Sequence, residues 1–137
     1  MFVRDLSDEE ATRAFAAEMA AKVGAGDAIL LEGELGAGKT TFARGLLAAL
    51  GWTGDVRSPS FGLVLTYPTV PPVLHADLYR VASADGLGLE DDLATHLALI
   101  EWPDRLHGLI LPEEAWAVRL EFAGEGRRAR VTPPSVT

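Results

Sequence analysis

The chain has 137 residues, 48% of them hydrophobic, and a formal net charge of −8. That is the size of one domain with enough apolar side chains for a core, and its acidity argues against a protein that grips nucleic acid unaided. The absence of cysteine excludes disulfides, iron–sulfur clusters and thiol catalysis.

No apolar run approaches the length of a membrane span, and Met1 to Asp5 has no stretch resembling a signal peptide. The expected location is therefore cytoplasmic. Ser7-Asp8-Glu9-Glu10 reads as a capping box with Ser7 as N-cap and Glu10 three residues on. Ala11, Phe15, Met19 and Val23 then recur every four residues, which predicts an amphipathic packing helix ending near Gly24. A residue near its start, in the region of Thr12, could border a bound nucleotide base.

Ala28-Ile29-Leu30-Leu31 is a short apolar run of the kind a buried strand requires. It leads into Gly33-Glu34-Leu35-Gly36-Ala37-Gly38-Lys39-Thr40-Thr41, which fits the phosphate-loop pattern G-x-x-x-x-G-K-[ST]. In such a loop the glycines let backbone N–H groups approach an anion. Lys39 carries charge to the outer phosphates, and Thr40 offers a hydroxyl to Mg²⁺. Phe42, Ala43, Leu46, Leu47 and Leu50 follow at helical spacing, and Gly51 stands where a C′ residue stops a helix. Strand, loop and helix come in the order that the motif demands.

Ser58-Pro59-Ser60 is either a polar turn or a switch-like loop that approaches Mg²⁺ and the terminal phosphate. Gly62–Tyr67 and Val73–Tyr79 read as the strands of a hairpin across Pro68–Pro72. In the second strand His75, Asp77 and Tyr79 share a face. Solvent exposure would explain that polar face, and so would Asp77 pointing at a metal site. A short helix is expected from about Leu89 to His96, with Glu90-Asp91-Asp92 as its solvated start rather than a metal site.

Leu97-Ala98-Leu99-Ile100 ends in Glu101, the form of the acidic second motif that a buried parallel strand delivers beside Mg²⁺ in phosphate-loop NTPases. Trp102-Pro103 then ends the strand. Trp116, Val118, Leu120 and Phe122 alternate with Ala117, Arg119 and Glu121; Gly124-Glu125-Gly126 turns, and Arg128–Val131 returns, completing a second hairpin. Arg127, Arg128 and Arg130 form a candidate basic patch, and residues 132–137 are expected to be a flexible tail. His75, His96 and His107 lack metal-ligand spacing, and none is assigned to a transition metal.

In order and spacing, GELGAGKTTFARGLL, VRSPSFGLVLTY, HADLYRV and LALIEWPDRL resemble the TsaE family, the ATPase component of bacterial tRNA threonylcarbamoyladenosine biosynthesis, over about residues 6 to 131. The resemblance implies an α/β, P-loop NTPase-like fold: a central, mainly parallel sheet with antiparallel hairpins, flanked by helices, in a single domain 1–137. It implies ATP/ADP and Mg²⁺ as cofactors. Glu34, Leu35, Gly36, Ala37, Gly38, Lys39, Thr40 and Thr41 would hold the nucleotide. Thr40, Glu101 and Asp77 would serve the metal, directly or through water. Lys39, Asp77 and Glu101 would carry hydrolysis. Ser60 matches the family's switch-like segment, Trp102 its tryptophan near the site, and Arg127 the Gly-Arg of a C-terminal hairpin that approaches the base. The partners implied are TsaB and TsaD, with tRNA held mainly through them and slow hydrolysis by the isolated subunit.

Ser60-Phe61 replaces the Thr-Tyr of many relatives, and Ser83–Asp92 departs from the usual Glu-Leu-x-x-Leu-Gly pattern. Three other readings of the loop compete. A small-molecule kinase needs a lid and an acceptor pocket, for which 137 residues leave little room. A GTP switch commonly reads guanine with Asn and positions water with Gln, and the chain has neither residue. A nucleotide-dependent adaptor would use binding more than turnover.

Overall fold

The computed structural model describes residues 1–34, 36–56, 64–78, 89–106 and 110–135. Among these, seven strands form a single sheet and two segments are α-helical. The strands are β1 (Phe2–Leu6), β2 (Ala28–Gly33), β3 (Val64–Tyr67), β4 (Val73–Asp77), β5 (Leu97–Glu101), β6 (Trp116–Ala123) and β7 (Gly126–Thr132), and the helices are α1 (Glu9–Ala20) and α2 (Lys39–Ala49).

The sheet order is β1-β7-β6-β2-β5-β4-β3. Its centre, β6-β2-β5-β4, is parallel, and both margins are antiparallel. The two most apolar segments occupy the middle. Ala28 to Leu31 and the whole of β5 are buried, as strands covered on both faces must be. One face packs Ile29, Leu31, Val73, Leu97, Leu99 and Val118 against Phe15, Met19, Phe42, Leu46 and Leu47 of the two helices. The opposite face gathers Leu30, Leu74, Ala76, Ala98 and Ile100 under Leu89, Leu93 and Ile110. Both α-helices thus lie on one side, and short turns cover the other.

Several local expectations are revised. The N-cap of α1 is Asp8, not Ser7: Asp8 is extended and its Oδ1 accepts a 2.8 Å bond from the Ala11 N–H. The reason is upstream. β1 pairs with β7 as far as Leu6↔Arg127, which holds the chain extended into the segment where the helix was expected to begin. At the other end α1 stops at Ala20, and Asp27 Oδ2 accepts from the Gly24 N–H at 2.8 Å to shape the approach to β2. The expected helix at 89–96 is only a 3₁₀ turn, Leu89–Asp91, followed by turns; its anchor is the fully buried Leu89. α2 ends as anticipated. Gly51 has φ +101, and the Trp52 and Gly51 N–H groups return to Leu47 and Ala48 carbonyls in a Schellman closure.

The β6–β7 hairpin turns on Gly124 (φ +61) and Glu125. β7 continues through Thr132, which pairs with Ala117, and the Ser135 N–H donates to the Glu113 carbonyl at 3.0 Å. The arginines of β7 do not stand as a bare basic patch. Arg128 bonds Asp5 at 3.0 Å and Arg130 bonds Glu121. The Arg130 hydrogen bond holds the Glu121 carboxyl below the ordinary glutamate value. No helix of the described residues is long and apolar enough to cross a membrane.

Candidate functional site

Three parallel neighbours, β2, β5 and β4, end on the same edge of the sheet. In register, Leu31 lies opposite Glu101, and Glu101 opposite Asp77. The carboxyl edge of such strands is where an open α/β sheet presents its crevice. The loop after β2 passes over this edge and enters α2.

Its backbone follows from its glycines. Gly38 is the N-cap of α2 at φ +107, in the left-handed region, with no side-chain cap. Gly38 therefore places no capping side chain over the first-turn N–H groups of α2, which have no acceptor within the helix itself. Gly33 is required for another reason. A Cβ there would come within 2.8 Å of the Leu120 carbonyl oxygen on β6, so only glycine lets the loop leave the sheet at this point. A bond from the Ala37 N–H to the Glu34 carbonyl, 3.0 Å, closes the first turn.

A cavity of about 430 Å³ opens under the loop, within the size range of small-molecule sites. Gly36, Gly38, Lys39, Thr40, Thr41, Asp77, Glu101, Trp102 and Arg127 line it, together with Asp8, Thr12, Glu125 and Gly126 from the α1 start and the β6–β7 turn. Most of the residues singled out from the sequence are therefore brought together. Glu34 is exposed and borders a second opening, of about 690 Å³, on the other side of the loop. That opening is the larger, but it lacks Lys39 and the first turn of α2. Ala37 is buried against the core. Leu35, Ser60 and the rest of 57–63, Tyr79 and Arg80, and His107 lie outside the described residues.

At the base of the cavity Lys39, Glu101 and His75 form a buried chain. Their exposures are 8%, 4% and 1%. Lys39 Nζ stands 4.0 Å from Glu101 Oε1, and His75 Nε2 lies 2.6 Å from Glu101 Oε2. Buried charges are tolerated when paired and hydrogen-bonded, and here each oxygen of Glu101 has its own partner. Lys39 Nζ also sits 4.3 Å from the ring centroid of Trp102, a cation–π distance. Trp102 has φ +59, an outlier for a bulky residue. That backbone strain occurs where β5 ends and the ring turns towards the lysine.

Arg127 approaches from β7. Its guanidinium donates to the Gly36 carbonyl at 3.0 and 3.2 Å and stacks 4.4 Å from the Phe122 centroid. Two expectations gain content. On β4 solvent does not explain His75, which is buried against Glu101, and Thr12 of α1 does reach the cavity wall. The pairing of His75 with Glu101 was missed from sequence; its only signal was the polar alternation within β4. Among the described residues no three His, Cys, Asp or Glu side chains group as a metal cage. Thr40, Asp77 and Glu101 are among the oxygen-bearing side chains that line the cavity.

The family model described as "Threonylcarbamoyl adenosine biosynthesis protein TsaE" matches residues 6–130. The tRNA threonylcarbamoyladenosine biosynthesis protein TsaE of Rickettsia bellii is 38% identical over 128 residues, covering 90% of this chain and 88% of its own. The protein of the same name from Bacillus subtilis is also 38% identical, covering 91% and 80%. The crystal structure of Bacillus subtilis YdiB superposes with a TM-score of 0.80 at 31% identity, covering 97% of this chain and 85% of that one. With a family model spanning nearly the whole sequence and relatives matched over most of their length, the chain belongs to the TsaE family of threonylcarbamoyl adenosine biosynthesis proteins.

Proposed function

We propose that this protein is the ATP-binding and ATP-hydrolysing subunit of tRNA threonylcarbamoyladenosine formation, acting with TsaB and TsaD, and that its fold is of the P-loop NTPase kind. One observation carries the reading: a glycine loop delivers Lys39 to within 4.0 Å of Glu101 at the carboxyl edge of neighbouring parallel strands, with Asp77 on the same wall.

The chemistry follows from the residues. The first-turn N–H groups of α2 and the Lys39 ammonium receive the phosphates and neutralise their charge. Thr40, with Glu101 or Asp77, supplies the hard oxygen donors that suit Mg²⁺. This ion takes few protein ligands and keeps waters and phosphate oxygens, so a set of one hydroxyl and two carboxylates fits it. When bound, Mg²⁺ withdraws charge from the phosphate oxygens. Asp77 and Glu101 divide between them the tasks of holding that ion and orienting the attacking water. The water oxygen bonds the γ-phosphorus, the bond to the β–γ bridging oxygen breaks, and ADP and phosphate leave. Trp102 and Arg127 complete the wall. Turnover by the isolated subunit is slow, and tRNA is held mainly by the partners.

The test is reconstituted tRNA modification with TsaB, TsaD and ATP over many turnovers. The complete system should sustain synthesis, whereas omission of this protein, or Lys39→Ala, should stop it after roughly one round. ATP should bind more tightly than GTP. Sustained synthesis without the protein would refute the assignment, and a preference for GTP would revive a switch protein.

A further inference from the structure

The geometry points to His75 as the positioning residue of Glu101: a buried imidazole whose task is to hold the carboxylate plane so that one oxygen faces Lys39 and the cavity. The inference rests on the reading of the site given above.

His75 lies on β4, opposite Leu99 of β5 and Leu65 of β3. It shares the helix-covered face with Val73, in a setting that an apolar side chain would fill at lower desolvation cost. Its two ring nitrogens have different fates. Nε2 reaches diagonally across the β4–β5 ladder to Glu101 Oε2 at 2.6 Å, and Nδ1 is buried with no hydrogen-bond partner among the described residues. A carboxylate only accepts hydrogen bonds, so Nε2 is the donor in this one. The bond that it does make is directed outward, at the acid of the site.

What that bond does follows from rotamer physics. The terminal torsion of a glutamate is broad, so nothing intrinsic to Glu101 sets the plane of its carboxylate. With one oxygen, Oε2, bound to His75, the other is left on the Lys39 side, at 4.0 Å. The direction in which that second oxygen faces a metal or a water is thereby set before any ligand arrives. This is the inverse of the familiar arrangement in which a carboxylate orients a metal-bound histidine. His75 is not among the residues that line the cavity. It acts through Glu101.

The experiment compares His75→Leu, His75→Gln and Glu101→Gln in ATP turnover with saturating TsaB, TsaD and tRNA. His75→Leu should lower kcat about 10- to 100-fold, the usual effect of removing such an outer partner, with KM for ATP little changed. His75→Gln places an amide N–H near the former Nε2 and should recover most of the loss. Adding His75→Leu to Glu101→Gln should cost nothing further. In the wild-type protein, imidazole ¹H–¹⁵N spectra should show His75 protonated at Nε2, with a resonance that moves in Glu101→Gln. This readout holds even where the leucine variant does not fold. Turnover lost in Glu101→Gln but kept in His75→Leu would overturn the inference alone, as would a ring without a proton at Nε2 or equal activity of His75→Gln and His75→Leu. Unchanged turnover in Glu101→Gln would overturn the reading of the site, and this inference with it.

Discussion

Arg127 donates two hydrogen bonds, 3.0 and 3.2 Å long, to a single acceptor, the carbonyl oxygen of Gly36. The two residues are 91 positions apart in sequence, so the last hairpin of the chain is fastened to the first turn of the glycine loop. A loop held in place before its ligand arrives loses less freedom on binding.

Arg127→Ala should therefore weaken ATP binding by about tenfold, because the freed loop must then be ordered at the moment of binding. Arg127→Lys should recover only part, since an ammonium lacks the planar fork. Titration calorimetry with ATP and Mg²⁺ checks this, and unchanged affinity in Arg127→Ala would show that the clamp does not prepare the loop.

The start of α1 discriminates between two adjacent residues. Asp8→Ala removes the oxygen that receives the Ala11 N–H and should cost about 1 kcal/mol in urea unfolding. Ser7→Ala should be nearly neutral. The reverse order would mean that the capping box read from the sequence is the one that forms.

Gly45 offers a sharper test. Glycine within a helix normally sacrifices about 1 kcal/mol relative to alanine, so Gly45→Ala would stabilise an isolated α2. In the folded chain a Cβ there would stand 2.8 Å from the Arg13 Cα and 3.0 Å from the Ala16 Cβ on α1. Backbone does not yield as a side chain tip does. The substitution should destabilise by about 1–3 kcal/mol, seen as a lower urea midpoint at unchanged slope. A gain in stability would mean that the two helices separate at little cost.

The parts of this fold that could be read in advance are those whose signal is local. Ala28–Leu31 and Leu97–Ile100 announce buried parallel strands by unbroken apolar runs, and the loop between β2 and α2 announces itself by spacing. β1 could not be read. Three of its five residues are exposed, and it exists because β7 offers it a partner from the far end of the chain. The cap at Asp8 was missed for the same reason, since the β1–β7 pairing sets where α1 can begin.

The site divides along the same line. Lys39, Thr40, Asp77 and Glu101 each carry a motif, and all four border one cavity. His75 carried only the oddity of a polar residue in a strand. Its partner is 26 residues away, reached through the register of β4 on β5. The place of Arg127 was expected near a base, and the structure adds its bond to Gly36, a link that no periodicity encodes.

Trp102, finally, sets two criteria against each other. At φ +59 a non-glycine residue forgoes about 1–2 kcal/mol that glycine would keep. Trp102→Gly would relieve that strain, but it would also strip away a ring that packs against the cluster of Leu30, Ala98 and Ile100 and lies 4.3 Å from the Lys39 ammonium. Truncating a buried aromatic costs about 3–5 kcal/mol, so packing and strain oppose each other at one residue. An unfolding curve of Trp102→Gly reports only their difference, and nucleotide affinity measured alongside it isolates what the ring does for the lysine.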